Sequence, residues 1–147
     1  MAVHISISEI IAETGKLKTS KEKVANLQKH DNFALRTVIQ ATYDPAIEFL
    51  IPDTPPPWNK NDYEDEAKAM LISDSRRLRI FVKGGGYDNI TQIKRETLFI
   101  SFLEDIDNDD ADLLANYMIC KKPFKGISLK VIKEAFPQLI NETTTNG

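Results

Sequence analysis

ITQIKRETLFISFLEDI, residues 90–106, carries the strongest helical pattern in the chain, because Ile93, Thr97, Ile100 and Leu103 recur three and four positions apart and are expected on one side. Just upstream, Gly84, Gly85 and Gly86 form a helix stop, and Asn89 or Thr91 restarts the chain as a cap. The segment before that stop, residues 62–82, begins with acids and ends with arginines around apolar Met70, Leu71, Leu78 and Phe81. That charge order suits a helix dipole. Downstream, Asp109 and Asp110 lie at the start of a helix carrying Leu113, Leu114, Tyr117 and Met118. A Lys-Pro turn over residues 121–126 then leads to Ser128, which caps the last helix, SLKVIKEAF, ahead of Pro137.

Working toward the amino end, Ser6 or Ser8 caps a short helix through Ile10 and Ile11, with Gly15 as its stop. Ser20 precedes KEKVANLQKH, and Val24, Leu27, Leu35, Val38 and Ile39 keep helical spacing across a break near residues 30–32, which reads as a helical hairpin. In TYDPAIEFLIPDTPPPWNKND, the five prolines from Pro45 to Pro57 remove amide donors and favour extended backbone. Its apolar residues, among them Phe49, Ile51 and Trp58, are too many for a flexible linker, so the segment is expected to wrap the core. No repeat and no alternating strand pattern is present. The expectation is an all-α fold: a single compact domain of about six or seven helices over residues 1–140, an ordered Pro-rich loop at about 44–62, and a frayed polar tail at 141–147.

The chain has 147 residues, 41% of them hydrophobic, which suits one domain with one core. No apolar run is long enough to span a bilayer, and MAVHISISEIIAETG has no basic segment followed by an apolar one, so no membrane association and a cytoplasmic location are expected. The single cysteine, Cys120, excludes an internal disulfide, and His4 and His30 do not form a zinc-ligand cluster. No metal or cofactor is expected. A net charge of −3 argues against a protein that coats nucleic acid indiscriminately. The charge is segregated, however. Most of the 19 Lys and Arg residues fall in the windows 16–29, 76–95 and 121–133, whose only acids are Glu22 and Asp88. Such windows are either solvated helix faces or an anion-binding surface.

Three stretches carry a likeness to a known family. SKEKVANLQKHDNFALRTVIQATYDPAIEFLI (20–51), RRLRIFVKGGGYDNITQIKRETLFISFLEDI (76–106) and ADLLANYMICKKPFKGISLKVIKEAFPQLI (111–140) resemble, in order, the N-terminal helical DNA-binding domain of T-even phage ATP-dependent DNA ligases. The last is the most specific, with a helix, a basic turn, a glycine, a serine-capped helix and an aromatic-Pro-x-Leu-Ile ending in succession. The likeness covers about residues 8–140 and extends to a family of small proteins of T-even-like phages. In the ligases this domain grips duplex DNA largely by its backbone, while a separate core performs the chemistry. The Lys-x-Asp-Gly nucleophile motif of that core is absent here, as is a Walker loop, since the glycines at 84–86 lack the following Gly-Lys-Ser/Thr. The resemblance therefore implies a non-enzymatic, phage-encoded protein in the host cytoplasm.

Backbone phosphates call for fixed donors with cations around them, which helix starts provide. Three such places are candidates. The first comprises Lys18, Thr19, Ser20, Lys21 and Lys23. The second is Lys83 with Lys94 and Arg95 around the glycine turn. At the third, Lys122, Lys125, Gly126, Ser128 and Lys130, the glycine lets a phosphate approach exposed amides. Each also reads as an ordinary cap or helix stop. If the three converge on one face they make a basic clamp for duplex DNA with little sequence preference. The acids Glu104, Asp105, Asp107, Asp109, Asp110 and Asp112 oppose that reading if they share the face. The rival function is an adaptor binding a phage or host replication or transcription protein, or a host-takeover factor, for which Trp58 on its Pro-stiffened loop is the anchor unless it is buried; a virion component is a further possibility.

Overall fold

Side chains that capture free amides start the helices of this protein. In the computed structural model, which describes residues 6–62 and 70–140, Ser6 and Glu9 form a capping box at α1 (Ile7–Lys16), and Thr19 and Glu22 form another at α2 (Ser20–Lys29). Asn32 caps α3 (Phe33–Tyr43). After the short α4 (Met70–Asp74), Thr91 caps α5 (Gln92–Asp105), Asp107 caps α6 (Asn108–Leu113) and Ser128 caps α7 (Leu129–Ala135). The described residues contain no strand; their β pairing is a single antiparallel bridge, Phe49 with Val82. The fold is all-α, a single compact domain of about seven helices.

Four sequence expectations change. Ser20 is the first helical residue of α2 and not its cap; Thr19 holds that place because its side chain reaches the Glu22 amide at 3.1 Å. The expected helix over 62–82 is described only from Met70, and from Ser75 it tightens into a 3₁₀ segment, Ser75–Phe81. The reason lies in spacing: Ser75, Leu78 and Phe81 are buried, and a period of three is that of a 3₁₀ helix. On α5 the buried residues are Arg95, Phe99, Phe102 and Leu103, whereas Ile93 is 81% exposed. The choice was decided by aromatic packing, with the Phe81 and Phe99 rings edge to face at 5.0 Å.

The fourth change concerns Gly15, which does not end α1 but lies inside it. A Cβ at Gly15 would strike the Lys125 carbonyl, and a Cβ at Gly126 would strike the Gly15 carbonyl. The two backbones cross at van der Waals range, so neither position has room for a side chain. Gly126 also has a φ of 78°, in the left-handed region. This crossing fixes the turn after Lys121 to the end of α1.

The core lies between two groups of helices. α2 packs on α7 and α1, while α3 packs on α4, the 3₁₀ segment and a π-helical turn, Leu114–Met118, that continues α6. The loop at 44–62 runs over the outside. Ile51 is buried, and Trp58 is half-buried against the core. Asn61 donates to the carbonyls of Glu104 and Ile106, both at 2.8 Å, and so clasps the end of α5. The ammonium of Lys121 donates to three carbonyls, Ala41 at 2.7 Å, Asp44 at 2.6 Å and Ile47 at 3.0 Å, tying the start of the loop to the carboxyl end of α3.

Gly126→Ala meets both the left-handed φ and the Gly15 backbone, and is expected to lower unfolding free energy by more than about 2 kcal/mol. Gly84→Ala, at a φ of 81° but with nothing within 4 Å, is expected to cost only about 1 kcal/mol. Urea denaturation of the two variants checks the order; equal losses would show that the crossing is not tight.

Candidate nucleic-acid interface

The two lysine-rich helix starts nearest the chain's ends meet. Lys23, in the first turn of α2, donates its ammonium to the Gly126 carbonyl at 2.6 Å. Through that bond and the Gly15 crossing, exposed Lys16 stands beside exposed Lys125. Lys18 and Lys21 flank the first segment and Lys122 and Lys130 the second, all exposed, with the Lys122 ammonium over the Tyr117 ring. Glu22, the acid among them, is engaged as the capping-box partner of Thr19. The turn itself is held from inside by Tyr43, whose hydroxyl donates to the Ile127 carbonyl at 2.7 Å and accepts from the Phe124 amide at 2.9 Å. Burial pushes this phenol up to about 12, so it stays protonated.

Of the amide donors expected at 126–128, that of Ile127 is engaged within the turn. The missing side chain of Gly126 makes room for α1, the Ile127 amide bonds the Phe124 carbonyl at 3.0 Å, and the Ser128 hydroxyl accepts from Val131. The exposed lysines supply the charge this corner offers an anion.

The glycine-turn candidate loses Arg95 from its three cations. Arg95 is only 4% exposed, and its guanidinium donates to Tyr87 O and Asp88 O at 3.1 Å, Ile90 O at 3.4 Å and Gln92 Oε1 at 2.7 Å. It seals the loop onto α5 and cannot reach DNA. The Gly84 amide donates to both oxygens of Asp88, so the place expected for a phosphate holds the protein's own carboxylate. Lys83 and Lys94 are exposed, but their elements have other neighbours: Lys83 is joined to Glu48, and α5 packs on α6 and the 3₁₀ segment.

Acids do approach the basic corner. An open cleft of about 420 Å³ runs between α1 and α6, with Glu9, Asp109 and Asp112 along it and Lys16 and Lys125 at its other end. Beneath the acidic end lies Asp110, fully buried, with one carboxylate oxygen accepting the Ser8 amide at 2.7 Å and the other without a partner among the described residues. Burial, with Asp107 and Asp109 nearby, pushes its carboxyl up to about 7. Among the described residues no group of three His, Cys, Asp or Glu side chains is placed to hold a metal ion, and no helix is long and apolar enough to cross a membrane.

Residues 10–121 match a family described as a family of unknown function (DUF6433). The chain belongs to that family. The match takes in α1 from Ile10 through the π-helical turn and stops at Lys121, so Lys122, Lys125 and α7 lie beyond it. The chain is also similar to sperm-associated antigen 6 of Mus musculus, 28% identical over 116 residues, or 77% of this chain and 23% of that protein. The human protein of the same name is 30% identical over 93 residues, 63% of this chain and 18% of that protein. The chain thus spans less than a quarter of the length of these curated relatives.

Because the folded state holds the Asp110 proton more tightly than an unfolded chain does, the stability tied to it is present below the ordinary carboxylate range and is lost as pH rises through about 7. Between about pH 4 and about pH 8 the loss is expected to be on the order of a few kcal/mol. Asp110→Asn, which keeps an acceptor for Ser8, should flatten that dependence in urea denaturation. An unchanged slope would assign the pH dependence to other groups.

Proposed function

We propose that this protein is a non-catalytic duplex-DNA-binding module that grips the sugar-phosphate backbone with the corner built from the start of α2 and the turn before α7. The observation that carries the reading is the Lys23 to Gly126 bond, because it turns two lysine-rich segments distant in sequence into one surface. Lys16, Lys18, Lys21, Lys122, Lys125 and Lys130 supply the charge; Lys23 is a positioning residue. Lysine ammonium groups on flexible stems suit phosphates met in varying register, so the binding carries little sequence preference. The ordered likeness of 20–51, 76–106 and 111–140 to the ligase N-terminal DNA-binding domain supports both this grip and a fold of that type, as a phage accessory protein working with a replication or transcription protein in the host cytoplasm.

A protein-binding adaptor is the second reading. It is favoured by one feature, the carboxylates of Asp109 and Asp112 in the same cleft as Lys16 and Lys125.

Fluorescence anisotropy with intact, nicked and single-stranded DNA at two salt concentrations separates the readings. For contacts to about five phosphates, the logarithm of duplex affinity should fall with the logarithm of salt with a slope of roughly −4 to −5. Lys18→Glu with Lys21→Glu should weaken duplex binding at least about tenfold, and Lys94→Glu should change it little. Absence of binding at low salt, or equal effects of the two variants, would remove the corner as a DNA site.

A further inference from the structure

We propose that the cleft between α1 and α6 is a docking groove for an amphipathic helix of a partner protein, laid antiparallel to α1, with an acidic first turn at Lys16 and Lys125 and a basic last turn at Asp109. The inference does not depend on the DNA reading, since it rests on the polarity of the groove.

That polarity is fixed by two contacts. The Ser8 amide bonds Asp110 at 2.7 Å, which sets the acidic start of α6 beside the start of α1. Near the other end, the Gly15 crossing sets Lys125 beside Lys16. Between Glu9 and Lys16 the helix rises about 10 Å, close to two turns. The floor between the charged ends is apolar, formed by Ile11, Ala12, Leu113, Tyr117 and Phe124. Exposed Ala12 keeps the outer face of α1 low there, so another helix can approach.

The charge pattern selects the occupant. A nucleic-acid strand is negative along its whole length, so Asp109 and Asp112 would repel one that lay along the groove. A helix offers what the groove complements: acids are favoured in its first turn and bases in its last, on one face with apolar residues between. Laid antiparallel to α1, its dipole also opposes that of α1. Helix-in-groove recognition of this kind uses anchors at i, i+3, i+4 and i+7, over the length available here.

The test uses the whole chain and two fluorescein-labelled synthetic helices, acetylated and amidated. One carries glutamates in its first turn, a leucine stripe and lysines in its last turn; the other has the two charged turns exchanged. The first is expected to bind at least tenfold more tightly, and to shift the NMR signals of Ile11, Ala12, Leu113 and Tyr117. Ala12→Trp, which fills the groove, should weaken it at least tenfold. Lys125→Glu with Asp109→Lys, both on exposed side chains, should exchange the preference. Circular dichroism verifies that each variant stays folded, and a variant that does not is replaced by Ala12→Arg. Equal affinities, no binding of either peptide, or signals moving elsewhere would overturn the proposal, as would a phosphorylated trinucleotide producing the same shifts. Lys18→Glu with Lys21→Glu should leave peptide binding intact, so failure of the DNA reading and failure of this one are told apart.

Discussion

Two glycine backbones, at Gly15 and Gly126, cross with no side chain between them, and both proposed sites depend on that contact. It joins α1 to the turn before α7 across most of the sequence. With it, Lys125 stands at the end of α1, Lys23 reaches the Gly126 carbonyl, and the cleft between α1 and α6 acquires its basic end. A side chain at either position would push the turn away and separate the groups that the corner and the cleft each require. Tyr43 supports the same turn from the core side. The crossing is thus a structural constraint with consequences for both proposed sites.

Ionisable groups divide between framework and surface, and the net charge alone hides the division. Lys121 and Arg95 donate to backbone carbonyls at the end of α3 and around the glycine turn. Such bonds compensate the cost of taking a cation out of water. Burial pulls the Lys121 ammonium below its ordinary range, with the carboxylate of Asp44 opposing that shift. Asp110 performs the matching task at the start of α1, where an amide is the partner.

Helix positions and most caps were legible in the sequence, because Ser, Thr and Asn ahead of an apolar period state a local rule. Ser128 and Thr91 follow it. Ser20 misled because Thr19, one position earlier, has Glu22 three residues on and completes a capping box. The buried face of α5 was misread from the aliphatic spacing of Ile93 and Ile100, whereas packing with Phe81 chose the phenylalanines. Gly15 and Gly126 looked like a helix stop and a phosphate approach; nothing local says that two glycines far apart serve each other. Arg95 was grouped with the surface cations for a similar reason, since only the fold shows the carbonyls around it. A glycine inside an otherwise helical run was the one available signal of close approach.

Membership of the family of unknown function spans the chain from Ile10 to Lys121 and therefore covers the acidic cleft wall but not Lys122 and Lys125. The basic corner is assembled across that limit, and the central claim is that its two halves act as one phosphate-binding surface. Amide NMR shifts during titration with a short intact duplex test this most directly. The account predicts that residues 16–23 and 122–130 move together with one affinity while residues 91–95 stay still. Shifts confined to one half, or centred on the start of α5, would contradict it.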